Sequence, residues 1–314
     1  ACSDDGDNDS SEPCPSQPTL ETSAVTEIEL DQSTDLSTAT FNGEITNNPI
    51  GVNCETLSIT SQGFVYAIHT LPTTDDESVS ASGQNVNSIV SDLSVETVYY
   101  VRTYLTNSLG TFYGNEVSFE TPESANPIYL DDNGVTIKAR EWAEVGMSGE
   151  IDGVTYTIVD EEILDNMIEN WQITEEDFTV ICTSKISEFA NLNFQTANPP
   201  YFNQDISSWD VSNAWSLVNM FFGCISFDQD ISNWDTSNVT SMNNMFINAL
   251  SFNQDIGNWD VSNVTNMQYM FQNTTFNQDL GSWDVSNVSS CLGFSNNATS
   301  WTLPQPNFTN CNPD

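Results

Sequence analysis

The sequence predicts a multidomain chain in which an all-β sandwich precedes an α/β repeat solenoid that carries a small α/β N-terminal cap. Three observations lead there. Short runs of alternating hydrophobicity fill residues 19–121, one segment of helical periodicity lies at 160–171, and a Trp-centred phrase recurs from residue 202 onward. The 314 residues are 38% hydrophobic and include 17 Phe, 9 Tyr and 8 Trp, which is enough apolar surface to exclude disorder throughout.

Charge excludes a further class. With 45 acidic and 4 basic side chains the formal net charge is -41, and the four bases are Arg102, Lys138, Arg140 and Lys185. Neutralising phosphates takes clustered Lys and Arg, so nucleic-acid binding is excluded. No run approaches the roughly 20 apolar residues of a membrane-spanning helix.

Residues 1–18 are acidic, contain Ser and Pro, and show no hydrophobic period; they read as a self-repelling tether. The opening Ala1-Cys2-Ser3-Asp4-Asp5 resembles the start of a processed bacterial lipoprotein. That resemblance makes Cys2 the acylated residue and the following acidic run an export signal of Bacteroidota surface lipoproteins. The implied location is the outer membrane, lipid-anchored and facing the exterior. Of the other six cysteines, proximity favours Cys291 with Cys311 and Cys14 with Cys54, whereas Cys182 and Cys224 pair or stay as buried thiols. No CxxC pair occurs.

Residues 19–121 carry alternating runs at 39–45, 63–68, 98–105 and 115–119, separated by turn formers, as in an antiparallel sandwich. The stretch Leu93-Ser-Val-Glu-Thr-Val-Tyr-Tyr-Val-Arg, with Tyr113-Gly-Asn-Glu-Val-Ser-Phe after it, resembles the last strands of fibronectin type III-like modules within the immunoglobulin-like class. That likeness makes Tyr99 the tyrosine-corner residue, although Val95 stands where Pro is common. Residues 122–127 read as a linker. Residues 128–183 form the α/β cap, with two strand pairs and then Ile163, Leu164, Met167, Ile168 and Trp171 on one helical face.

The repeat fills residues 184–314. Trp209, Trp234, Trp259 and Trp283 recur at intervals of 25, 25 and 24, the period of a solenoid. Within one unit, Ile256-x-x-Trp259-x-Val261-x-x-Val264 follows leucine-rich-repeat spacing, and Met267, Met270 and Phe271 continue at helical spacing. Each unit is therefore expected to hold a very short strand near Trp-Asp-Val and a helical return through Met-x-x-Met-Phe. The phrase Phe-Asn-Gln-Asp-Ile-Gly-Asn-Trp-Asp-Val-Ser-Asn-Val-Thr-Asn-Met closely resembles the surface-protein repeat of the BspA-like leucine-rich-repeat family. The resemblance implies a surface-anchored protein used for attachment or recognition.

The repeating Trp and the Met-Phe pairs read as core rather than as platforms for sugars. Two columns of acids remain. Asp205, Asp230, Asp255 and Asp279 form one, and Asp210, Asp235, Asp260 and Asp284 the other. Like charges a strand spacing apart need compensation, either from turn and helix-start N–H groups or, as the alternative, from Ca²⁺ on the first column. No other cofactor is expected. The candidate binding face is Asp210, Ser212, Asp235, Ser237, Asp260, Ser262, Asp284 and Ser286, the residues between core positions that repeat in register. Asn238 and Asn263 match a glycan acceptor pattern, but a sugar on each rung would not fit.

His69 is the only histidine, which leaves no second candidate for a nucleophile-histidine arrangement, and the chain is read as non-enzymatic. The expected function is attachment or recognition of a protein or glycan ligand at the cell surface. The alternatives are an accessory subunit of an outer-membrane transport or assembly complex and, more weakly, a surface hydrolase.

Overall fold

A computed structural model describes residues 17–32, 34–45, 57–174, 176–192, 194 and 201–314. The chain divides into two units, Ala1–Ala125 and Asn126–Asp314.

The first unit contains β1 (Leu20–Thr22), β2 (Thr26–Asp31), β3 (Leu36–Ile45), β4 (Ser61–Ala67), β5 (Glu77–Ser80), β6 (Asn85–Ser94), β7 (Val98–Asn107) and β8 (Gly110–Glu120). β1 and β2 follow one another along one edge of β3 and β6 takes the other edge, all antiparallel. The second sheet runs β5-β4-β7-β8, also antiparallel. Alternation turns Ala39, Phe41, Val86 and Val90 of the first sheet toward Phe64, Val101 and Leu105 of the second, making one core. Phe41 meets the rings of Phe64, Tyr66 and Phe119 edge-on at 5.8, 5.4 and 5.7 Å. The Tyr99 hydroxyl accepts from the Ser94 N–H at 3.1 Å, the bond a tyrosine corner makes.

The second unit opens with a hairpin of β9 (Ile128–Leu130) and β10 (Ile137–Ala139). A three-stranded sheet follows. In it β12 (Val154–Ile158) pairs antiparallel with β11 (Ser148–Ile151) and parallel with β13 (Ile181–Cys182). Helix α1 (Glu161–Thr174) connects β12 to β13, and Asp160 caps it by accepting from the Ile163 N–H at 2.9 Å. Its apolar stripe joins the core of the repeats through Leu164 and Ile168, and Trp171 lies edge-on to Phe202 at 5.4 Å.

Beyond β13 the described residues form no further strand or helix. Successive repeats instead stack through isolated parallel bridges that link Glu188, Ser216, Ser241, Asn266 and Ser290. This overturns the expected fold class, an α/β leucine-rich-repeat solenoid with an α/β cap. Among the described residues 30% are in strands and 5% in helix, and α1 is the one α-helix.

The reason lies in the backbone of the segment expected to return as helix. Asn219, Asn244, Tyr269 and Gly293 take φ of 57°, 61°, 55° and 64° at one repeat position. Four residues later Gly223, Asn248, Asn273 and Asn297 take 71°, 58°, 57° and 59°. Two left-handed residues per repeat are incompatible with a right-handed helix. The amides accordingly bond across repeats: Met242 N–H to Asn266 O, Asn244 to Gln268, Phe246 to Met270 and Asn248 to Gln272, at 2.9, 2.9, 2.9 and 3.0 Å. The Met-x-x-Met-Phe side chains still point inward, and Met242, Met245 and Phe246 are fully buried. The expected strand near Trp-Asp-Val is also absent; that segment is built of turns and irregular chain, and the bridges fall one residue before the Met-x-x-Met segment, at Ser241 and Asn266.

The core is a set of aromatic columns. Trp259 stacks between Trp234 and Trp283 at 6.4 and 6.5 Å, and Phe252 between Phe227 and Phe276 at 5.8 and 5.9 Å. Each indole N–H donates to a carbonyl one repeat back: Trp209 to Phe178 O, Trp234 to Ile206, Trp259 to Ile231 and Trp283 to Ile256. The stack ends on Trp301, edge-on to Phe276 at 4.8 Å, and on a disulfide between Cys291 and Cys311.

Candidate functional site

The feature that distinguishes this chain is the exposed side of its stacked repeats, and side-chain amides hold that side in register. Asn213, Asn238, Asn263, Asn287 and Asn310 each donate Nδ2 to a carbonyl one repeat back, those of Ser184, Ser212, Ser237, Ser262 and Ser286. A second ladder runs through Asn203, Asp228, Asn253 and Asn277, whose Oδ1 atoms accept from the backbone N–H groups of Asp228, Asn253, Asn277 and Thr302. Gln229, Gln254 and Gln278 add Nε2 bonds to the carbonyls of Asn203, Asp228 and Asn253. The amides of Asn238 and Asn263 are thus committed within the stack.

Both acid columns are made of Asx turns. In the first, Asp205, Asp230, Asp255 and Asp279 accept from the N–H two residues on, at 3.0, 2.9, 3.0 and 2.9 Å. In the second, Asp210, Asp235, Asp260 and Asp284 do the same toward Ser212, Ser237, Ser262 and Ser286 at 3.0, 3.0, 2.9 and 3.0 Å. The serine hydroxyls strengthen the turns. They, and then the N–H groups, hold the carboxyls of Asp230, Asp260 and Asp284 below the usual range. Among the described residues no group of three or more His, Cys, Asp or Glu converges as metal ligands would.

The residues of the candidate binding face are not equivalent. Asp235, Asp260 and Asp284 are exposed, but Asp210 is only 4% exposed and also receives the Ser184 hydroxyl at 2.6 Å. The exposed column therefore begins at Asp235. Beside the first acid column runs an open groove of 620 Å³ lined by Asp230, Asp255 and Asp279 with Gln254, Asn258 and Gln278. No Lys or Arg occurs after Lys185, so this whole side carries unopposed negative charge.

Cys2, Cys14 and Cys54 lie outside the described residues. Cys182 and Cys224 are buried free thiols, and burial pushes Cys224 up to about 12. His69 sits on an exposed loop of the first unit, with Nε2 3.0 Å from Asp76 Oδ1. The amide ladders escaped the sequence reading. Their signal was the Asn after each Asp-x-Ser, recurring with the repeat, whereas Asn310 lies past the recognisable phrases and is found only in space.

Residues 187–308 are similar to a family described as "Mycoplasma protein of unknown function, DUF285". No curated protein matches the chain. Among the described residues no helix is long and apolar enough to cross a membrane.

Proposed function

We propose that this protein is an exported, non-catalytic recognition protein that binds a protein or glycan ligand at the cell exterior through the exposed columns of its stacked repeats. One observation carries the reading: Asp235, Asp260 and Asp284, with Ser237, Ser262 and Ser286, recur on one side of a stack whose register is fixed by backbone and Asn bonds. A surface whose polar groups are already ordered loses little entropy on binding. The Cys291–Cys311 disulfide favours an oxidising compartment. The resemblance of the repeat phrase to BspA-like surface proteins agrees with that location.

The test presents the full chain to arrays of glycans and extracellular proteins. Wild type should bind at least one class of ligand. Ser237→Arg with Ser262→Arg should lower that binding at least about tenfold, because two long cations crowd the column, while the chain stays folded. Binding to nothing on either array, or binding that the double variant leaves intact, overturns the proposal.

A further inference from the structure

The short sheets that open the second unit leave an apolar cleft against the first repeat. We infer that this cleft docks an extended segment of a partner protein that presents an apolar side chain flanked by lysine or arginine. The site is separate from the column of Asp235, Asp260 and Asp284, and the inference does not depend on it.

Three features point there. The hollow, 450 Å³ in volume, is walled by Leu130, Val135, Val154 and Tyr156. Leu130, Val135 and Val154 stand 40%, 37% and 40% exposed, whereas Ile128 and Ile137 of the first hairpin and Ile158 of the second strand pair are buried. Several large apolar side chains converging on one concave surface mark an interaction site.

At the back of the cleft is Ser208. Its carbonyl accepts from the Ile137 N–H at 2.9 Å and ties the hairpin to the repeat, yet its buried hydroxyl has no hydrogen-bond partner among the described residues. The same repeat position is satisfied everywhere else. Asn233, Asn258 and Ser282 donate to the carbonyls of Ser207, Ser232 and Gly257, one repeat back. At Ser208 that ladder stops, so this wall of the cleft lacks the bond between repeats that the later repeats have.

The third feature is charge. Asp152 and Asp205 line the hollow and no basic side chain does. Lys138, the neighbour of Ile137, is held by Asp131 at 3.2 Å. With a net charge of -41 the chain attracts basic partners in general, and these two carboxylates set that attraction beside apolar walls.

The test is fluorescence anisotropy of the full chain with two labelled peptides, Lys-Leu-Phe-Lys and Glu-Leu-Phe-Glu, at low and at physiological ionic strength. The basic peptide should bind saturably and more weakly in salt, and the acidic peptide should not bind. Asp152→Asn and Asp205→Asn should each weaken binding about fivefold, the effect of removing one close charge in water. Asparagine tolerates the φ of 51° at residue 152 and keeps the turn acceptor at 205, so both variants should melt as wild type does. Val135→Arg should abolish binding. Equal binding of the acidic peptide, binding retained in Val135→Arg, or no saturable binding of the basic peptide would overturn the inference.

Discussion

Replacing Trp259 by phenylalanine isolates what the indole N–H contributes to the stack. Trp259 is 4% exposed, and its Nε1 donates to Ile231 O at 3.1 Å. Phenylalanine keeps an aromatic ring between Trp234 and Trp283 but has no donor. The Ile231 carbonyl retains the Trp234 N–H at 3.2 Å, so losing its second bond costs about 0.5–1.5 kcal/mol. The smaller ring leaves a void worth about 1 kcal/mol. The sum, about 1.5–2.5 kcal/mol, corresponds to a fall in Tm of about 3–10 °C for a unit of this size. Trp301 supplies the control. Its Nε1 is buried with no hydrogen-bond partner among the described residues, so Trp301→Phe removes an unmet donor and offsets the void it creates. That variant should change stability by less than about 0.5 kcal/mol, or raise it. Urea unfolding followed by tryptophan fluorescence reads the difference cleanly, because all 8 tryptophans lie between residues 142 and 301, in the second unit. Equal destabilisation by the two substitutions would refute the role given to the indole bonds.

Gly293 has φ of 64°, and a Cβ there would lie 2.4 Å from Tyr269 Cδ1; Gly293→Ala should therefore destabilise by about 1–3 kcal/mol. Adding Tyr269→Asn, which restores the residue that tolerates this backbone at the equivalent positions 219 and 244, should recover most of the loss in a double-mutant cycle. Reduction of the Cys291–Cys311 bridge, which spans a sequence separation of 20, should cost about 3 kcal/mol, and Cys291→Ser with Cys311→Ser should match the reduced wild type in a thermal melt. The carboxyls of Asp230, Asp260 and Asp284 titrate lower in the folded chain than in the unfolded one, so their contribution is complete above the unfolded value of about 3.9 and is lost as pH falls through the folded values. Melting temperatures of wild type and of the triple Asp→Asn variant should run parallel from about pH 5 to 8, with wild type losing ground only below about pH 4.

The parts legible in the sequence are those that side-chain alternation and spacing encode directly. Phe41, Phe64 and Val101 alternate inward along their strands, and Leu164 and Ile168 mark the buried stripe of α1. The repeat phrase located the tryptophan column and the two acid columns. The conformation between them was misread because Met242, Met245 and Phe246 obey helical spacing while Asn244 and Asn248 are left-handed. Hydrophobic periodicity reports which side chains are inside, not where the N–H groups go. The signal is Asn or Gly at two positions four residues apart in successive repeats, interrupted only by Tyr269, since these residues enter the left-handed region more readily than most. The exposure of Asp210 was also misjudged: its first-repeat position puts it under Ser184, which only the fold brings there.

The most direct test is amide hydrogen exchange along residues 241–248, because the proposed recognition surface depends on bonds between repeats. Met242, Asn244, Phe246 and Asn248 donate to the next repeat at 2.9–3.0 Å, whereas Met245 and Ile247 make only local bonds of 3.3 Å. Slow exchange is expected at every second amide, 242, 244, 246 and 248, with faster exchange between them. Uniform protection across the segment, accompanied by helical carbon shifts at Met242–Met245, would contradict it.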